Sequence, residues 1–454
     1  MQCKIAKRVL ISILKKGGYE RMNNQPANTE RRNFLKTASG ALGAAVATGF
    51  PAIISGQTVT NAIKVGLVGC GGRGGGAARQ ALAADDYTEL TAMADIDQSQ
   101  IDNCLRSLKR ISKTADRVKV ETAAQFLGLD AFQKVIDSKV DVVLLATPPG
   151  FRPYHLAACI AADKHVFCEK PVSTDGPGVR SVMATADQAK QKNLSLVAGF
   201  CWRYNNMIQE TFQQVESGGI GRLVAYYATY YTSPVKPIPP ASTRPAGMSD
   251  VEWQIRNWYN FVWLCGDSLV EQAVHSVDKI AWAMRDEPPS SCVGVGGRAI
   301  AAEGGNIYDH FEINYLYPTG VRAFMANRQI VGCYNENSDY IMGTEGTCTI
   351  GRGPTPRIEG KTNWTFSGQQ YDMYQKEHDL LFASIRKGQP MNDGKRMATS
   401  TMLALMGRMA AYTGQQVTWD QAMNSQEKLF PEHLDWNGSL EVKPRAQPGI
   451  TKLI

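Results

Sequence analysis

The sequence predicts an α/β protein: an N-terminal Rossmann dinucleotide-binding domain followed by a C-terminal α+β domain with a large, open, mostly antiparallel sheet. Three observations carry this. Residues 63–68 (IKVGLV) run directly into Gly69-Cys70-Gly71-Gly72-Arg73-Gly74; strand-like and helix-compatible stretches then alternate as far as residue 200; and aromatic-rich, strand-like runs follow residue 201. A chain of 454 residues also exceeds what one hydrophobic core organises. The expected divisions are a leader over 1–57, the Rossmann domain over 58–200 and the second domain over 201–454.

In the first domain each glycine has a task. Gly69 permits a tight turn, Gly71 lets backbone approach a pyrophosphate, and Gly74 lets the next helix pack close to the strand, with Gly72 and Arg73 completing the loop. The phosphates would rest on a helix N-terminus, where unpaired N–H groups favour anions. The helix is expected over 77–84 and a second strand over 89–94. That strand ends at Asp95, about 20 residues beyond the glycines, where a carboxylate accepts bonds from both ribose hydroxyls and repels a 2′-phosphate. NAD is therefore the expected cofactor and NADP is disfavoured, with Asp97 as the rival acidic residue. Further strands are expected over 118–122, 140–146, 165–168 and 194–200, and helices over 127–137, 154–162 and 178–192. This rhythm gives a parallel sheet covered on both faces.

The second domain opens with a helix over 206–217. Strands are expected over 223–231, 292–295, 311–317, 322–326 and 340–342, with a Pro-rich loop over 234–247. Trp202, Trp253, Trp258, Tyr259 and Trp263 stand near one another in sequence. Sugar rings stack on aromatic faces, but helical spacing equally makes such residues core. Arg256 either bonds substrate hydroxyls or holds a neighbour.

The charge balance excludes nucleic acid. The net charge of +7 lies wholly in residues 1–57, where nine Lys/Arg face Glu20 and Glu30; the remainder has 40 basic against 40 acidic residues. A neutral body without basic runs has no electrostatic footprint for a polyanion. The ten cysteines form no metal-ligand spacing, so no metal is expected. Glu30-Arg31-Arg32-Asn33-Phe34-Leu35-Lys36 precedes an almost uncharged Ala/Gly stretch ending in small residues. This is the layout of a twin-arginine signal, which implies folding in the cytoplasm, passage through the Tat machinery and a periplasmic location. A start at Met22 would shorten the lead to a conventional length.

Ala146-Thr147-Pro148 and Glu169-Lys170-Pro171 end successive strands. With Gly199-Phe200, Arg203-Tyr204-Asn205, Glu271-x-x-x-His275-x-x-Asp278, Asp393-Gly394, Arg408, Tyr412-Thr413-Gly414 and Thr418-Trp419-Asp420, the sequence resembles the Gfo/Idh/MocA oxidoreductases from residue 62 to about 425. The resemblance implies hydride transfer to or from a hydroxyl carbon of a sugar or polyol. Lys170, His275 and Glu271 would be catalytic. Thr147, Pro148, Glu169 and Lys170 would join the glycines and Asp95 at the cofactor, and Lys170, Arg203, Tyr204, Arg256, Trp258, Glu271 and His275 would meet substrate. Glu271 stands where relatives carry Asp. His155 is displaced from the position where relatives often show His, and His310 reads as strand packing. A dimer or tetramer is implied. An exported enzyme has no evident supply of free nucleotide, so the cofactor is expected to be tightly bound. The alternative is a redox-neutral glycosidase or lyase working through a 3-keto intermediate.

Overall fold

The computed structural model describes residues 61–351 and 355–454. The expected signal over 1–57 lies outside them. The first domain runs β1 (Ile63–Val68), α1 (Gly72–Ala84), β2 (Thr88–Asp95), α2 (Gln98–Lys109), β3 (Gln125–Leu127), α3 (Ala131–Asp137), β4 (Val142–Leu145), α4 (Arg152–Ala161), β5 (His165–Cys168), α5 (Gly176–Gln191) and β6 (Leu196–Ala198). All six strands are parallel, in the order β3-β2-β1-β4-β5-β6. The order reverses beside β1, so a crevice opens at the carboxyl ends of β1 and β4, where dinucleotides bind in such folds. β4 and β5 are almost completely buried (VVLL, HVFC) because helices cover both faces.

The expected strand over 118–122 is not formed. Val118 makes a single bridge to Leu90, and the true edge strand is β3, seven residues on. The β-branched run marks a strand-like approach, but hydrogen bonding to the sheet edge at Met93–Asp95 falls to Gln125–Leu127. Helix α2 has a low-hydropathy sequence, yet it buries Ile101, Cys104, Leu105 and Leu108 at helical spacing, with Asp97 as its N-cap.

Beyond a short helical turn at Cys201–Tyr204 come α6 (Asn206–Glu216), β7 (Leu223–Thr232), α7 (Asp250–Arg256), α8 (Val262–Cys265), α9 (Ser268–Glu271), α10 (Val274–Ala283), β8 (Ser291–Gly297), β9 (His310–Leu316), β10 (Arg322–Gln329), β11 (Ser338–Gly343), β12 (Gly346–Gly351), β13 (Arg357–Gly360) and β14 (Trp364–Thr365). The chain ends with α11 (Met373–Lys387), α12 (Gly394–Thr413), β15 (Val417–Thr418), α13 (Trp419–Asn424) and an extended tail. The nine strands form one open sheet, β14-β13-β12-β11-β7-β10-β9-β8-β15. It is antiparallel except where β7 and β10 pair in parallel.

The division at residue 200 is not a division of the core. α12 is buried on every side, lies between the second sheet and α5, and carries Met397, Met402, Leu405 and Met406 into a cluster shared with Val179 and Val182. A helix apolar all round belongs in the interior. α11 returns to α1, so both domains are packed by the same C-terminal helices.

Candidate active site

β1 delivers the chain to Gly69, whose φ of +93° is a left-handed conformation that favours glycine. α1 begins at Gly72, and no side chain caps its first amides. A Cβ at Gly74 would stand 1.9 Å from the Gly69 carbonyl oxygen, so helix and strand meet here only because the position is glycine. At Gly71 and Gly72 a Cβ would meet none of the described residues within 4 Å. Protein packing therefore does not require glycine there, whereas close approach by a ligand does. The loop fits a pyrophosphate. Gly74→Ala is expected to abolish NADH binding in a fluorescence titration, whereas Gly75→Ala, whose Cβ meets only the Cys104 sulfur at 3.4 Å, is tolerated.

A cavity of about 480 Å³ opens against this loop. Asp95 lines it at the end of β2. One carboxylate oxygen accepts from Cys70 N–H (2.7 Å), the other from Ile96 N–H (2.7 Å) and Asp97 N–H (3.1 Å). Burial pushes this carboxyl up from its ordinary range, and those three N–H groups oppose the rise. Asp97 also lines the cavity, but its carboxylate is engaged by Ser99 N–H (2.9 Å) and the Arg256 guanidinium (2.5 Å). Thr147 and Pro148 form part of the wall beside β4.

The remaining candidates form a second cluster that does not line this cavity. Lys170 donates to the Glu271 carbonyl oxygen (2.5 Å) and carboxylate (3.3 Å), both side chains being almost fully buried. Glu169 turns its carboxylate to Arg73 of the glycine loop (2.8 Å) instead of to the cavity. Arg73 is further held by Gln80 (2.5 Å) and lies over the Tyr374 ring. The imidazole of His275 is half-buried, and its Nδ1 has no hydrogen-bond partner among the described residues. Burial, then the Lys170 and Lys279 cations, hold its pKa well below 6.5, so it stands neutral. The structure thus brings Lys170 and Glu271 into contact and places His275 within electrostatic reach of Lys170.

Three expected substrate residues are placed elsewhere. Arg203 is buried against Asp278 (2.9 Å) and Asp286 (2.6 Å) and stacks over Trp282. Tyr204 donates to Asp393 (2.5 Å) inside the core. The turn at Cys201–Tyr204 aims both side chains into the packing between domains, because a buried guanidinium and phenol need partners there. Arg256 lies on the Asp97 side of the cavity, bonded to Asp97 and to Glu252 (2.8 Å). Of the aromatics, Trp258 and Tyr259 stack at 3.8 Å and line the cavity. Trp263 is core, donating to Gln254 (2.7 Å), and Trp253 packs against the same cluster. Trp202 lies under the Lys279 ammonium. His310 is at the start of β9, paired with Asp309 (2.8 Å).

Sequence reasoning missed Gln272, which donates to the Glu271 carboxylate (2.5 Å) and accepts from Tyr230 (3.0 Å). It also undervalued His155, which lines the cavity between Phe132 (4.1 Å, stacked) and Thr147 (3.2 Å). Burial, then Arg152, lower the His155 pKa to about 3. Gln272 sits inside the Glu271–Asp278 segment, and that adjacency was the available signal.

Residues 63–200 match the model of an oxidoreductase family with an NAD-binding Rossmann fold. That model is the one for the Gfo/Idh/MocA oxidoreductases, and the match lies within the first domain. The chain is 24% identical over 289 residues to an inositol 2-dehydrogenase of Rubrobacter xylanophilus, covering 63% of this chain and 71% of that one. Two further curated relatives are matched over 48% and 60% of their lengths. Among solved structures, an aldose-aldose oxidoreductase from Caulobacter crescentus superposes with a TM-score of 0.63 at 17% identity, covering 79% of this chain and all of that one. A levoglucosan dehydrogenase solved with NADH and levoglucosan gives 0.61 at 17% identity, covering 79% and 99%. At these identities the likeness is one of fold, and it extends through both domains.

Proposed function

We propose that the chain is a nicotinamide-dependent oxidoreductase acting at a hydroxyl carbon of a sugar or polyol. The observation that carries this is the glycine loop with open space before Gly71 and Gly72, beside Asp95 on a cavity whose wall residue Tyr259 is joined through Gln272 to Glu271 of the buried Lys170–Glu271 pair. Relatives named inositol dehydrogenase and neighbours solved with NADH support the same reading. Gly69–Gly74 and Asp95 would hold the NAD, which supplies the hydride acceptor or donor. Oxidation at a hydroxyl carbon also requires the O–H proton to move. The Lys170 ammonium can donate to the substrate oxygen and stabilise negative charge on it, Glu271 sets the position of that ammonium, and neutral His275 can accept the proton.

The twin-arginine sequence supports export with the nucleotide already bound. Exposed Val224, Val293, Val295 and Met342 on the second sheet support a dimer or tetramer. The test incubates purified protein with NAD and a panel of cyclitols, aldoses and glycosides, following reduced-nicotinamide absorbance and product release together. Net reduction with a cyclitol or aldose supports the proposal. Glycoside cleavage without net reduction, or no nucleotide turnover with any member, counts against it.

A further inference from the structure

We infer that Arg256 belongs to the nucleotide site and not the substrate site: paired with Asp97, it closes the adenosine-ribose end of the cavity and withholds its charge from a 2′-phosphate. The inference rests on the nucleotide reading above.

In a Rossmann fold the end of β2 receives the adenosine ribose. Here that end carries two carboxylates, Asp95 and Asp97, and both line the cavity. Among the described residues Asp95 bonds only backbone N–H groups in the cradle, which leaves acceptor capacity for ribose hydroxyls. Asp97 lies one step outside, caps α2 through Ser99, and holds Arg256 at 2.5 Å. Arg256 reaches it from α7, 159 residues away in sequence, and Glu252 on the same helix fixes the Nε side at 2.8 Å. The following residues, Trp258 and Tyr259, line the same cavity. One segment of the second domain therefore roofs the nucleotide, and the Asp97–Arg256 pair is the polar contact that fastens it. The pair is half-exposed, at 35% and 25% of the side-chain surfaces. It is a fastening of modest strength, suited to slowing release without making it irreversible.

The same geometry bears on nucleotide choice. The cations on the cavity wall are Arg73, Lys236 and Arg256. Arg73 is committed to Glu169 and Gln80 at the phosphate loop, and Lys236 is exposed on the loop after β7. Arg256 is the cation beside the ribose end, and a guanidinium binds phosphate in a bidentate fork when its nitrogens are free. Asp97 and Glu252 occupy two of those nitrogens.

Stopped-flow fluorescence with NADH and NADPH tests this in the full chain. Arg256→Gln is expected to release NADH about fivefold faster, the worth of a half-exposed ion pair. Asp97→Asn keeps an N-cap residue on α2 but frees the guanidinium, so NADPH affinity is expected to rise about tenfold. That gain should vanish in Asp97→Asn/Arg256→Gln and persist in Asp97→Asn/Lys236→Gln. Unchanged NADH release in Arg256→Gln overturns the fastening. A gain that survives in Asp97→Asn/Arg256→Gln, or no gain in Asp97→Asn, overturns the role in specificity. If the unaltered chain binds neither nucleotide, the nucleotide reading fails and the inference falls with it; binding of NADH with unaltered kinetics in every variant sinks the inference alone.

Discussion

Lys170→Met is expected to lower turnover about 10²- to 10⁴-fold on a confirmed substrate, with NADH affinity close to its original value. The ammonium is the buried cation at the end of β5, and it is aimed by two bonds to Glu271. Removing it strands the Glu271 carboxylate, so the Lys170→Met/Glu271→Gln double variant is the control: fold recovers and turnover does not. His275→Ala is expected to cost a similar factor, and its pH dependence identifies the role. Since burial and two neighbouring cations depress the His275 pKa well below 6.5, the imidazole is already deprotonated at pH 6.5. As a base it loses function only when pH falls through that lowered value, so kcat/KM should stay flat from neutrality past pH 6.5. A limb near 6.5, or near-full activity in His275→Ala, would reassign the base, and His155 is the next residue to test.

Asp278→Ala is expected to destabilise the fold by about 3–5 kcal/mol in urea unfolding, because it strips the principal partner from a buried guanidinium. Arg203 and Asp278 are 5% and 1% exposed, and Ser400 also donates to Asp278 at 2.7 Å. Asp286 remains to Arg203 but is itself 35% exposed and a weaker counter-charge. The variant that stays folded should bind NADH normally. A loss of under about 1 kcal/mol would mean that Arg203 finds water or another partner. A raised KM with unchanged stability would restore it to the substrate site.

The sequence by itself determined the Rossmann half in some detail. β1 and β5 fall on the residues that their apolar runs mark, Asp95 ends β2, and Gly69 and Gly74 do the work that their spacing assigns. Those features are local: a turn needing positive φ, a close approach needing hydrogen in place of Cβ, an apolar run between polar ends. Tertiary structure decided the rest. Whether Val118 or Gln125 becomes the edge strand depends on which segment reaches the β2 hydrogen bonds. The joining of the two domains through α11 and α12 depends on helices that only pack when both sheets exist. Above all, Arg203, Tyr204, Arg256 and Lys170 are all polar residues in or near recognisable motifs, and sequence treats them alike. What separates them is which carboxylate each meets: Asp278, Asp393, Asp97 or Glu271, lying 75 to 189 residues away. A charged side chain takes its role from the partner that burial forces upon it, and that partner is chosen by the fold.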